Sequence, residues 1–145
     1  MVGIIVTGHG HFATGITSSL DLIAGPQKNY VAVDFEGGHS TDDLAANLKN
    51  AYETLHECDG IIVFADLPGG SPFKVAVEVG INYPKVSVLG GTNLPMLCEI
   101  AMARGFMEDA DALVTMALNT GKEQVVKFEM KAPVSNPDPE DGEGI

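Results

Sequence analysis

Residues 60–72 read Gly60-Ile61-Ile62-Val63-Phe64-Ala65-Asp66-Leu67-Pro68-Gly69-Gly70-Ser71-Pro72. The apolar run from Ile61 to Ala65 has the length and continuity of a strand buried on both faces. It ends at a carboxylate and a turn made of proline and two glycines. Ser71-Pro72 then carries the pattern of a helix start, with Ser71 at the N-cap and Pro72 at the first helical position. Apolar strand, polar turn and helix in direct succession form the repeating unit of a parallel sheet.

The same unit recurs along the chain. Gly3 to Thr7 is an apolar strand closed by Gly8-His9-Gly10, and Phe12, Ile16, Leu20 and Ile23 follow at helical spacing up to Gly25-Pro26. Residues 31–35 make a second strand, and Ser40 is an N-cap with Asp42 and Asp43 in the first helical turn. The helix after Ser71 is expected to run to about Ile81. Residues 86–89 are a fourth strand, Gly90 to Pro95 a turn, and a helix continues through Arg104. Residues 108–119 read as helix and residues 124–130 as a last strand. The expected fold is α/β and doubly wound, a mainly parallel sheet of order 2-1-3-4 with helices on both faces. One folded domain is expected over residues 1–131, and an acidic, unpacked tail over 132–145.

With 145 residues the chain suits one domain. Twenty Asp and Glu against eight Lys and Arg leave a formal charge of −12. Asp138, Glu140, Asp141 and Glu143 place four of those charges in the tail, so the body carries −8. That balance excludes an electrostatic grip on nucleic acid or an anionic membrane, and suits basic protein partners or plain solubility. Cys58 and Cys98 lie far apart in the chain, without a CxxC spacing or partnering histidines, each read as sitting in a helix. A reducing, cytoplasmic setting is expected, with no disulfide, metal or cofactor. Neither a signal peptide nor a membrane-spanning run is read from the chain, and no membrane insertion is expected.

Ligands of open α/β sheets bind beyond the carboxyl ends of the strands, where the strand order reverses. Residues 7–11, 66–72 and 90–95 occupy those loops and are rich in small polar residues. His9 stands directly after the first strand between two glycines, a place for a nucleophile. Asp66 ends the third strand, next to the first in a 2-1-3-4 order. A carboxylate there would fix the imidazole tautomer and free the other nitrogen. It would equally serve to cap amides of its own turn, and the residues alone leave both readings open. Gly10, Gly69, Gly70 and Ser71 are the candidate phosphate-binding residues, because glycines and a helix N-terminus let backbone amides approach an anion. No Gly-Lys-Ser/Thr follows, so this is not a Walker loop. A nucleophilic histidine, an orienting carboxylate and an anion cradle together suggest a phosphoryl group carried on imidazole.

Three stretches carry a family resemblance: residues 5–10, Phe64 to Pro72, and Gly91-Thr92-Asn93-Leu94-Pro95-Met96-Leu97 with Ala101 to Arg104. In these the chain resembles the IIA component of the mannose-type sugar phosphotransferase system, from the first strand to about Met130. The resemblance implies a phosphotransferase: a phosphohistidine carrier with His9 as the phosphorylated residue, Asp66 bonded to it and Ser71 near the phosphate. It implies transfer from the histidine-phosphorylated carrier protein HPr to a IIB subunit serving a membrane IIC/IID transporter. It also implies a homodimer that exchanges a C-terminal antiparallel edge strand, here residues 124–130. Family members often carry a bulky residue two after the active histidine, whereas this chain has His11. That makes His11 a second candidate acceptor, the poorer one for lying inside the starting helix. His39 is a candidate for the partner surface, and His56, late in a helix, for an ordinary surface role.

Rival readings differ in their cations and acids. A histidine phosphatase needs an arginine before its histidine, and the chain's one arginine is Arg104. A receiver domain needs acids after the first strand, and Thr7-Gly8-His9 offers none. The IIA-like subunit of a dihydroxyacetone kinase shares the chemistry. A non-catalytic anion-binding regulatory module would use Leu94 to Leu97 as its interaction surface.

Overall fold

The structure is a computed structural model, and it describes residues 1–133. Most of the expected tail, residues 134–145, lies outside the described residues. The elements run β1 (Gly3–His9), α1 (Phe12–Ala24), β2 (Tyr30–Phe35), α2 (Thr41–Thr54), β3 (Ile61–Ala65), α3 (Ser71–Gly80), β4 (Val86–Leu89), α4 (Leu94–Ala103) and α5 (Ala110–Glu123). All strand pairs are parallel, in the order β2-β1-β3-β4.

Alternation along the strands divides the core in two. Ile4, Val6, Ile62 and Phe64 pack against α1, α4 and α5, with Leu20, Leu97, Ile100 and Leu113 buried among them. Ile5, Val33, Ile61 and Val63 pack on the other face against α2 and α3, with Leu44, Leu48, Tyr52 and Val75. Helices on both faces explain why the strands are continuous apolar runs. After β2 the chain crosses back past β1 to lay down β3, so the strand order reverses between β1 and β3. Their carboxyl ends are Thr7-Gly8-His9 and Ala65-Asp66.

Local signals set the helix starts. The Ser40 hydroxyl accepts from the Asp43 amide while the Asp43 carboxylate accepts from the Ser40 amide, a reciprocal cap. Asn93 and Asp109 cap α4 and α5 in the same general way. Three readings need correction. Gly70, not Ser71, is the N-cap of α3, and Ser71 and Pro72 are its first residues. Cys58 and His56 lie in the turns after α2, because the helix closes at Leu55, whose amide bonds back to Ala51 and Tyr52. His11 is the N-cap of α1 and not inside it.

Residues 124–130 form no strand in the single chain. Val125, Val126, Phe128 and Met130 are each more than three-quarters exposed. In the single chain they pair with neither edge strand of the sheet, β2 or β4. The only arginine lies at the opposite end of the sheet from His9. Arg104 is 2% exposed, and its guanidinium donates to the carbonyls of Val2 and Asn29 at 2.9 Å, to Gln27 Oε1 at 3.1 Å and to the Lys28 carbonyl. Among the described residues no helix is long and apolar enough to cross a membrane.

Candidate functional site

His9 is the last residue of β1, and Asp66 follows the last residue of β3. The β1–β3 register, which pairs Thr7 with Ala65, brings them together. One carboxylate oxygen, Asp66 Oδ2, lies 2.8 Å from the His9 backbone nitrogen and 2.8 Å from ring Nδ1. The other, Oδ1, accepts the Leu67 amide at 2.8 Å. Burial alone would raise the Asp66 pKa. The hydrogen bonds from His9 and Leu67 override it, and the carboxyl is held below the ordinary aspartate range. The two readings of Asp66 are therefore both present, since it caps its own turn and orients His9.

A carboxylate facing Nδ1 makes that nitrogen the proton-bearing one in neutral imidazole, with the lone pair on Nε2. The ring is 46% exposed while Asp66 is 12% exposed, so a largely enclosed carboxylate orients a ring that is open to solvent. Phe35, opposite His9 in the β1–β2 register, packs tilted against the ring at 6.1 Å between centroids. Sequence reasoning did not place Phe35 here, and only the strand register could have done so.

The cradle is more selective than the run of glycines suggests. Gly69 adopts φ +78°, a left-handed turn conformation. The Gly10 amide donates to Phe35 O at 2.7 Å, and the Gly70 amide to Leu67 O at 3.1 Å. Both amides are therefore engaged within the protein. Gly70 serves by lacking a side chain: a Cβ there would sit 3.0 Å from His9 Cε1. The Cε1 atom, which joins the two ring nitrogens, thus lies against the start of α3. That helix has no side-chain cap and no acid in its first turn. Pro72 has no N–H, so the first-turn donors open to an anion are Ser71 and Phe73. His39 is turned to other work, its Nδ1 accepting the Glu36 amide at 3.1 Å.

The arrangement is an imidazole beside an uncapped helix N-terminus at the reversal of strand order. The family model described as PTS system fructose IIA component, EIIA-man, matches residues 3–118. The chain belongs to this EIIA family of the phosphotransferase system. The mannose-specific EIIAB component of Escherichia coli (strain K12) is 30% identical over 130 residues, covering 90% of this chain and 40% of that one. The chain thus spans about 40% of the length of that relative. Two solved EIIA structures superpose on the fold. The EIIA component from Streptococcus agalactiae has TM-score 0.81 and 37% identity, covering 88% of this chain and 98% of that one. The mannose/sorbose-specific IIA subunit from Enterococcus faecalis has TM-score 0.82 and 25% identity, covering 91% and 98%. In this EIIA chain the described residues form a parallel four-stranded sheet with helices on both faces.

Proposed function

We propose that this chain is a phosphohistidine carrier of a sugar phosphotransferase system, with His9 as the residue that holds the phosphoryl group. The observation that carries the reading is the His9–Asp66 pair beside the uncapped N-terminus of α3, in a chain of the EIIA family. His9 Nε2 attacks the phosphorus of the histidine-phosphorylated carrier HPr; the new N–P bond forms as the bond to the HPr histidine breaks. Asp66 holds Nδ1–H throughout and stabilises the charge that develops on the ring. The amides of Ser71 and Phe73 and the α3 dipole offset the phosphoryl charge. A IIB subunit then takes the group by the reverse step and delivers it to the sugar at a membrane IIC/IID transporter.

An exposed nucleophile without a cationic pocket suits exchange between protein surfaces. The sole arginine is locked at the far end of the sheet, so no arginine is placed to give a phosphatase-like grip on small phosphoesters. The setting that fits these partners is the cytoplasm. Incubation with phosphoenolpyruvate, enzyme I and HPr should give about one acid-labile, base-stable phosphate per chain. His9→Ala should abolish the label and His11→Ala should keep it. An unlabelled wild type would sink the carrier reading, and the opposite pattern in the two variants would move the site to His11.

We further infer a homodimer in which residues 124–130 of each copy add an antiparallel strand to the other. Their exposed Val125, Val126, Phe128 and Met130 support this, as does a nearby open groove of about 510 Å³ lined by Met102, Phe106 and Met116. Light scattering should report a dimer for the full chain and a monomer for a chain ending at Glu123. Equal masses would remove the strand exchange from the proposal.

A further inference from the structure

Two residues beyond the carrier histidine, the strand register assembles a second cluster that the phosphoryl chemistry does not use. His11 Nδ1 lies 3.2 Å from Asp34 Oδ2, a hydrogen bond whose ring proton a bound metal would displace, and 3.5 Å from Glu36 Oε1. One nitrogen and two carboxylate oxygens, one from each residue, all fall within 4.8 Å of one another. Bonds of about 2.0–2.1 Å from a tetrahedral zinc ion imply ligand-to-ligand edges of about 3.3 Å, between the two separations observed here.

The fold holds the donors in place. Asp34 and Glu36 flank Phe35 at the end of β2, and the period of two turns both away from Phe35. The Gly10 amide bonds to Phe35 O and pins the chain carrying His11 beside them. Asp34 is anchored from α1: the Thr14 amide donates to Oδ1 at 3.0 Å and the Thr14 hydroxyl to Oδ2 at 2.7 Å. Its side chain is 13% exposed, whereas Glu36 and His11 stand open to solvent. His39 is not a fourth donor. Its Nδ1 accepts the Glu36 amide, which leaves the proton on Nε2.

His11 against Asp34 outwardly repeats His9 against Asp66, so a second phosphoryl acceptor is the rival reading. Charge decides between them. Among the described residues no Lys or Arg pairs with Asp34 or Glu36, and their ion-pair partners are His11 and His39. Two uncompensated carboxylates within 3.5 Å of His11 Nδ1 repel a dianionic phosphoryl group and attract a dication. Imidazole with carboxylates selects the zinc class over magnesium or calcium, which prefer all-oxygen shells.

We propose that His11, Asp34 and Glu36 form a binding site for a divalent transition metal of the zinc class, with water in the remaining positions. This stands independently of the phosphocarrier reading, since neither His9 nor Asp66 is a ligand. The test is calorimetric titration of the full chain with zinc chloride alone. One saturable site is expected, weakened roughly ten-fold or more by His11→Ala and by Glu36→Gln and unchanged by His9→Ala or His56→Ala. Both ligand variants alter exposed side chains, so their folds should persist by circular dichroism. Magnesium chloride should give no saturable signal. The proposal is overturned if zinc binds equally to both ligand variants, if His9→Ala removes the binding, or if no saturation occurs up to about 1 mM.

Discussion

Asp66 accepts from the His9 amide, from the His9 ring and from the Leu67 amide, so its charge is tied to the native geometry. Its pKa is held below the ordinary value near 3.9. A carboxyl depressed in the folded state contributes stability that is fully present above the unfolded pKa. That stability is lost as pH falls toward and through the folded value. The stability gap between wild type and Asp66→Asn should therefore be largest near neutrality and shrink below about pH 4, read by urea unfolding across pH. A gap constant from neutrality to pH 3 would mean that the carboxylate charge has no part in it. At neutral pH the same variant should stay folded and take phosphate from HPr more slowly. His9 itself was legible in the chain because a histidine between glycines after an apolar run is a local signal. Its partner was legible only as a candidate, since the two lie 57 residues apart and meet through strand order.

The turn between β3 and α3 shows where local patterns fail. Ser71-Pro72 has the form of a cap and first helical residue, yet the helix begins one residue earlier. The cap position faces the His9 ring, and a Cβ there would crowd Cε1, so glycine holds the place a serine would otherwise take. The β4–α4 turn is constrained in the same manner. A Cβ on Gly90 would sit 2.7 Å from Pro68 Cα and 2.9 Å from Pro68 N, and backbone cannot swing aside as a side-chain tip can. Gly90→Ala should cost about 1–3 kcal/mol in urea unfolding and slow phosphoryl transfer by displacing the Asp66–Gly70 turn. Wild-type rates in that variant would show that the turn tolerates the shift. The expected strand at 124–130 is unpaired in the single chain, where its apolar residues stand exposed, as a strand donated to a second copy would be.

Arg104 ties the whole molecule together at the end away from the site. Four acceptors from residues 2, 27, 28 and 29 converge on its guanidinium, joining the start of β1 to the segment that enters β2. Arg104→Ala would leave the buried Val2 carbonyl without its guanidinium donor and empty a buried side-chain site, and should destabilise the fold on the order of 3 kcal/mol, seen as a lower denaturation midpoint. Phosphorylated to the same level once folded, the variant would place the arginine in architecture alone; loss of labelling in a fully folded variant would bring it into the chemistry. Apolar runs, caps and glycine turns determined the strands, the helices, the parallel α/β class and the place of His9. These signals act within a few residues, through backbone period and the needs of helix ends. Tertiary structure alone decided that Asp66 meets His9, that the Gly10 and Gly70 amides are engaged, and that His11 joins Asp34 and Glu36. Those contacts depend on which strands lie side by side and in what register, and neighbours distant in sequence leave no periodic trace in the chain.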